Sequence, residues 1–189
     1  MWTLVATVWL AAVKWPLSVL MDALFFGRAR RRRQGAFELW AREAAAGGPP
    51  AIAAAIKQRV AYGYDPLKGL IDYVTTPAAT WARGRGDCDD FAYLSAALLT
   101  LAGYDCWIAN LLARNVVDSH VVCIFRDGRG YATLDQGYLS GSNENLEAAA
   151  REAAPTPKLL TTLIQPYGRG GDYLGRWIRR SLPKTAGRT

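Results

Sequence analysis

The chain has 189 residues, of which 51% are apolar, which is enough for one buried core and too apolar for a disordered protein. Its formal net charge is +7, and the basic residues are concentrated at the two ends. Residues 34–167 carry 11 Lys and Arg against 14 Asp and Glu, whereas residues 1–33 and 168–189 each carry 6 against 1. An acidic centre between basic ends argues against nucleic-acid binding and predicts terminal segments that contact phosphates, most simply lipid headgroups. With 3 cysteines and 1 histidine, the chain offers neither a zinc pattern nor complete disulfide pairing.

Residues 1–26 predict one long apolar helix. At about 100° per residue its polar side chains form a single stripe about 100° wide, which consists of Thr3, Thr7, Lys14, Ser18 and Asp22. This pattern is typical of a membrane span whose polar stripe packs on partner helices, or of a helix lying deep in the membrane interface. The alternatives are a core helix of a soluble protein and a virion-type or oligomer-buried helix. A secretory signal fits poorly, because no basic residue precedes the apolar stretch and no small-residue cleavage site follows it.

An arginine run comes directly after this helix, at Arg28 and Arg30–Arg33. By the positive-inside rule it predicts a cytoplasmic domain and an N-terminus on the other side of the membrane. The C-terminal residues 173–182 predict either a short basic amphipathic helix on a headgroup surface or a frayed tail. We therefore divide the chain into a membrane-associated helix with a basic flank (1–33), an enzyme domain (34–167) and a basic amphipathic tail (168–189).

The central domain predicts helices followed by strands. Helices are expected over 34–46 and 50–61, separated by Gly-Gly-Pro-Pro, with a short helical piece within 62–76. A third helix is expected from Cys88 to about Leu101, with Asp87 as the N-cap and Asp90 completing a capping box. Strands follow over 106–112, 119–126 and 131–135, and Asp-Gly-Arg-Gly forms the hairpin turn between the last two.

Three side chains in these elements suit nucleophilic catalysis. Cys88 lies in a first helical turn, where free backbone N–H groups favour a thiolate and an oxyanion, although Asp89 and Asp90 partly oppose this. His120 is the only imidazole in the chain. If Arg126 pairs with Tyr131 across the hairpin, Asp135 becomes the diagonal neighbour of His120, within reach to orient its ring. The alternatives are structural: a buried cysteine, a core histidine and a strand-end cap.

The motifs Gly86–Ala92 (GDCDDFA), His120–Phe125 (HVVCIF) and Leu134–Gly137 (LDQG), with Trp81 and Tyr64-Asp65 upstream, resemble the transglutaminase-like superfamily of papain-type cysteine enzymes. The resemblance covers roughly residues 62–137 and includes bacterial transglutaminase-like cysteine peptidases. It implies an α+β fold in which the cysteine helix packs on a small antiparallel sheet, with the apolar N-terminal helix added. It also implies Cys88 as nucleophile, His120 as base and then acid, and Asp135 as the orienting carboxylate. Trp81 is a candidate oxyanion donor, and Asp89 and Asp90 are candidate calcium ligands that equally suit a helix N-terminus.

These observations predict a membrane-associated cysteine peptidase or amidase that cleaves an amide bond in a protein or a cell-wall peptide. Hydrolysis is favoured over transamidation, because nothing in the chain indicates a site that excludes water and admits an amine. No cofactor is expected beyond calcium at Asp89 and Asp90, and no nucleic-acid partner. The expected partners are the substrate, the membrane through residues 1–33, and helices along the polar stripe. The alternative is a catalytically inactive module of the same fold that serves as a membrane-docked binding or assembly protein.

Overall fold

The computed structural model describes residues 2–64, 73–114, 118–169 and 173–180. The helices are α1 (Trp2–Phe26), α2 (Gly27–Ala46), α3 (Gly48–Arg59), α4 (Pro77–Arg83), α5 (Cys88–Leu101), α6 (Leu146–Glu152) and α7 (Tyr173–Arg180). Within α1, two segments are π-helical, Leu10–Lys14 and Asp22–Phe26. The strands are β1 (Ala61–Tyr62), β2 (Arg85–Gly86), β3 (Cys106–Ala113), β4 (His120–Asp127), β5 (Gly130–Asp135), β6 (Tyr138–Leu139) and β7 (Leu159–Pro166).

A five-stranded antiparallel sheet, in the order β6-β5-β4-β3-β7, is covered on both faces. Strand alternation sends Cys123 and Phe125 of β4 towards α5, into the main core with Leu94 and Leu98. The other face of β4 packs against α6. The β4–β5 hairpin has the predicted register, with Arg126 opposite Tyr131. Helices packed on an antiparallel sheet confirm the α+β prediction at that level.

The predicted helices and strands of the central domain form close to their expected bounds. The cysteine helix runs over Cys88–Leu101 as expected, whereas the first helix begins at Gly27 and includes the arginine run. Helices α4 and α6 and strand β7 are additional elements. The short helical piece expected within 62–76 lies largely outside the described residues. The capping box is wrong: Asp87 is the N-cap residue, but its side chain makes no cap hydrogen bond, and Asp90 binds other partners.

The N-terminal helix α1 lies along the domain with its polar stripe inward. Lys14, Ser18 and Asp22 are buried, while nine large apolar side chains of α1 are exposed. In the described part of the chain, α1 is the helix long and apolar enough to cross a membrane. At the other end of the chain, Ile178 of α7 is buried in the main core. The division of the chain at residues 33 and 168 stays a prediction, and α2 runs without interruption through residue 33.

Candidate active site

The start of the cysteine helix is held by a close backbone approach. Strands β1 and β2 pair in parallel, and the N–H of Gly63 donates to the carbonyl of Gly86 over 2.9 Å. Gly86 is buried, and a Cβ added there would lie 2.6 Å from the Cβ of Asp90. Only glycine fits that space without displacing Asp90. The pairing of β1 with β2 thereby sets the start of α5, and Tyr62 of β1 lies near enough to Cys88 for their charges to interact.

Asp90 anchors the first turn of α5 to the segment before it. Its Oδ1 accepts hydrogen bonds from the N–H and the hydroxyl of Thr75, each 2.8 Å long. Its Oδ2 pairs with the Arg83 guanidinium, also over 2.8 Å. Burial raises the pKa of Asp90 to about 6, with the charge of Asp89 adding to the rise and Arg83 opposing it. Because Asp90 faces these partners, it does not reach back to cap the helix.

Asp89 pairs with a lysine from the N-terminal helix, a contact that the sequence analysis did not predict. The Lys14 ammonium contacts Asp89 Oδ2, and only 7% and 2% of the two side chains are exposed. The signal in the sequence was a lysine inside the polar stripe of an otherwise apolar helix.

The acidic cluster in this turn was a candidate calcium site. One ligand oxygen from each of Asp87, Asp89 and Asp90 lies within 4.8 Å of the others. However, Lys14 and Arg83 already bring two cations to Asp89 and Asp90. A calcium ion there would share these carboxylates with the two cations, and the calcium site stays a prediction.

His120 and Asp135 come together at one end of the β4–β5 hairpin. His120 Nε2 lies 2.8 Å from Asp135 Oδ2, and 13% and 31% of the two side chains are exposed. If Asp135 accepts the Nε2 proton, the free lone pair of the neutral ring is on Nδ1. Gln136 and Gly137, directly after Asp135, adopt left-handed backbone conformations with φ of 50° and 81°. That turn ends β5 at the carboxylate, and there an added Cβ on Gly137 would lie 3.0 Å from the Ala53 carbonyl.

The Cys88 sulfur lies against the start of β4. The backbone N–H of Val121, the residue after His120, donates to it. Among the described residues, no direct hydrogen bond joins Cys88 to His120, so the sulfur is held at the residue after the histidine and not by the imidazole itself.

Burial and nearby charges at the Cys88 sulfur act against the thiolate that its place in a first helical turn predicts. Burial raises the pKa of Cys88 to about 12, Asp89 and Asp87 add to the rise, and Lys14 and the Val121 N–H partly lower it. The raised pKa favours the thiol over the thiolate that a helix N-terminus would stabilise.

Tyr62 is a second neighbour of Cys88 that the sequence analysis missed. Burial raises the pKa of Tyr62, and the Cys88 charge adds to the effect. Its ring stacks on Phe91 at a centroid distance of 6.4 Å and meets Tyr64 edge-on at 5.4 Å, yet 45% of the residue is exposed. Tyr62 therefore forms part of the solvent-facing wall beside the sulfur.

Trp81, the candidate oxyanion donor, lies in an aromatic cluster. Its ring contacts Phe37 and Trp40 at centroid distances of 6.0 and 6.1 Å, and the Arg59 guanidinium lies over it. Its indole Nε1 is buried with no hydrogen-bond partner among the described residues. The described contacts tie Trp81 to α2 and α3, and its role at the oxyanion stays a prediction.

Comparison with known proteins bears on the fold. No family model and no curated protein matches the chain. A solved structure of LapG from Legionella pneumophila matches with a TM-score of 0.51 and 18% identity, covering 88% of this chain and 96% of LapG. The fold is similar to that of LapG. A second structure of LapG, described as EGTA-treated, matches with a TM-score of 0.47 and 17% identity, over 80% of this chain and 83% of that one.

The similarity to LapG extends well beyond the three motifs. The motif resemblance covered less than half of the chain, whereas the first LapG match covers 88% of it. Sequence identity of 18% assigns no role to any side chain. The roles of Cys88, His120 and Asp135 stay predictions.

Proposed function

We propose that the chain is a membrane-associated cysteine peptidase or amidase with Cys88 as nucleophile, His120 as base and Asp135 as orienting carboxylate. The hydrogen bond between His120 and Asp135 at 2.8 Å is the observation that carries this proposal. It orients the one imidazole of the chain on the residue adjoining Val121, whose N–H binds the Cys88 sulfur. A thiol, an oriented imidazole and a carboxylate are the parts of a nucleophilic triad.

In the first half of the reaction, the Cys88 sulfur attacks the carbonyl carbon of an amide. The pKa of about 12 means that the thiol proton is still present, so His120 Nδ1 removes it as the C–S bond forms. The imidazolium then gives this proton to the amide nitrogen, and the C–N bond breaks to release an amine and leave a thioester. Asp135 keeps the ring oriented and stabilises its charged form.

In the second half, His120 removes a proton from water as the water oxygen attacks the thioester carbon. The C–S bond breaks, the carboxylic acid leaves, and the proton returns to the sulfur. Hydrolysis is preferred to transfer onto an amine, since His120 and Asp135 are both partly exposed and water reaches the site.

The start of α5 supplies oxyanion donors. The first backbone N–H groups of a helix have no intrahelical partner. The Phe91 N–H already bonds the Asp87 carbonyl, whereas the Asp87 side chain caps none of the earlier N–H groups. The N–H of Cys88 is therefore a donor for the oxyanion formed when its own sulfur attacks.

An inactive binding module of the same fold is the second candidate. The high pKa and burial of Cys88 favour it, because a module without turnover needs no accessible thiolate. The decisive difference is whether amide bonds are cleaved.

The test measures newly formed amino termini by mass spectrometry. The full chain is incubated with a proteome-derived peptide library and, separately, with cell-wall peptides. We expect Cys88→Ala to abolish the release of new termini, and His120→Ala to reduce the rate by about 100-fold or more. Asp135→Asn should reduce it by a similar factor, because the ring loses its preferred tautomer.

The matched control is Cys106→Ser, a second cysteine that is free and buried in the main core. It should retain the cleavage rate to the extent that the variant folds, which circular dichroism verifies. If wild type and Cys88→Ala release the same termini at the same rate, the peptidase proposal is wrong.

A further inference from the structure

An exposed, mostly apolar face runs along α1 and into α2. Its members are three, four or seven positions apart, which is the spacing of one side of an α-helix, and two segments of α1 are π-helical. We term this face the outer stripe, and it comprises Trp2, Val5, Trp9, Val13, Leu20, Leu24, Arg28 and Arg31. Its apolar members are between 40% and 65% exposed, and both arginines are exposed. An apolar face of this length on a soluble monomer marks an interaction surface.

The opposite face of α1, the inner stripe, is already occupied by the chain's own domain. It comprises the five polar residues of α1: Thr3, Thr7, Lys14, Ser18 and Asp22. The Thr3 hydroxyl lies 3.0 Å from that of Thr161 on β7. Ser18 accepts a hydrogen bond from the N–H of Val74 over 2.8 Å, and Lys14 pairs with Asp89. These contacts join the inner stripe to the domain at Thr3, Lys14 and Ser18.

A helix that crossed a bilayer away from the domain would break those contacts. It would carry the charges of Lys14 and Asp22 into hydrocarbon and leave Asp89 buried without its cation, both of which are costly. A helix lying along the surface keeps them all. Along the outer stripe, tryptophans and aliphatic residues come first and arginines follow, an order that suits the headgroup boundary of an anionic bilayer.

We propose that the outer stripe docks flat on an anionic lipid surface while the inner stripe stays on the domain, so that α1 lies along the membrane without crossing it. This rests on the membrane association in the proposed function and specifies its geometry. The start of α5, which Lys14 contacts through Asp89, is then held close to the bilayer surface.

A disulfide between the inner stripe and the domain tests this directly. Thr3→Cys and Thr161→Cys are introduced in a Cys88→Ala background of the full chain, and flotation is measured with phosphatidylcholine vesicles with and without phosphatidylserine. We expect the oxidised and reduced forms to bind phosphatidylserine vesicles equally. If the oxidised form loses the binding that the reduced form has, α1 must leave the domain to insert, and the proposal is overturned. Failure of the disulfide to form overturns it as well.

A charge variant tests the lipid specificity. Arg28→Gln with Arg31→Gln should weaken binding to phosphatidylserine vesicles by about fivefold per arginine. The control pair, Arg129→Gln with Arg151→Gln, removes two exposed arginines away from the outer stripe and should leave binding unchanged. Equal binding to both vesicle types, or self-association of the chain in place of vesicle binding, would overturn the proposal. Flotation requires no catalysis, so a failed docking surface and a failed peptidase assignment give different results.

Discussion

The Cys88 sulfur experiences two opposing influences. A helix N-terminus stabilises a nearby negative charge by about 0.3–1 kcal/mol, whereas burial disfavours a thiolate by up to several pKa units. Burial is the largest influence here, and Asp89 and Asp87 strengthen it. The raised pKa therefore favours a protonated sulfur, and in the proposed reaction His120 would have to remove that proton during attack.

This balance predicts how Cys88 alkylation depends on pH. With a pKa of about 12, the rate with iodoacetamide should rise about tenfold per pH unit from neutral pH into the alkaline range. Asp87→Asn removes one negative charge that raises the pKa but keeps a side chain suited to the N-cap. The pKa should fall, so the rate at a given pH should increase by about fivefold, from roughly 1 kcal/mol of charge interaction.

Peptide mass spectrometry of the Cys88 peptide gives the rate at each pH. Glu147→Gln is the control, because it removes a carboxylate from the first turn of a different helix, α6. An alkylation profile that levels off below pH 8 would contradict this account and indicate a preformed thiolate.

At the scale of elements, the sequence predicts what local chemistry determines. The Asp-Gly-Arg-Gly turn sets the hairpin register, and that register is what brings Asp135 next to His120. Helix α5 is likewise set by its own apolar spacing. The hydrogen-bond partners of Asp90 could not be predicted from the sequence, because Thr75 and Arg83 contact Asp90 only through tertiary packing. The capping-box pattern predicts a local bond that this packing replaces.

Gly86 is a position where the packing around Asp90 leaves no room for a side chain. Gly86→Ala would place a Cβ 2.6 Å from Asp90 Cβ and 2.8 Å from its Oδ2. Asp90 would have to move from Thr75 and Arg83, which should cost about 1–3 kcal/mol of unfolding free energy. Displacement of the Cys88 turn should reduce the cleavage rate by a larger factor, about 100-fold for a shift of about 1 Å.

Urea unfolding and the cleavage rate measure the two effects separately. Gly141→Ala is the matched control, since an added Cβ there meets nothing within 4 Å. It should change the unfolding free energy by less than about 0.5 kcal/mol. Equal behaviour of Gly86→Ala and Gly141→Ala would show that the approach of β2 to Asp90 does not position α5.

At the scale of the whole molecule, one ion pair links α1, the helix proposed to dock on a membrane, to the helical turn that holds Cys88. Lys14 and Asp89 come from α1 and α5, and both are buried. Removing one member of a buried ion pair leaves the other charge buried without a partner, which typically lowers the unfolding free energy by about 3–5 kcal/mol. Removing both replaces the pair by neutral groups and avoids that cost. The packing of α1 on the domain can therefore be measured as a coupling free energy between Lys14 and Asp89 in unfolding experiments.

We predict that Lys14→Met and Asp89→Asn each lower the unfolding free energy by about 3–5 kcal/mol, and that the double variant loses much less than their sum. The coupling should be about 2 kcal/mol or more, as for a contacting buried pair. Urea unfolding of the full chain in detergent, followed by circular dichroism, supplies the four values. Lys57→Met is the control, since that lysine is exposed and contacts the Tyr138 ring at 4.1 Å, and its loss should cost about 1 kcal/mol or less. Strict additivity of the two single variants would mean that α1 does not rest on the domain through Lys14, and the active-site turn would then be independent of the helix.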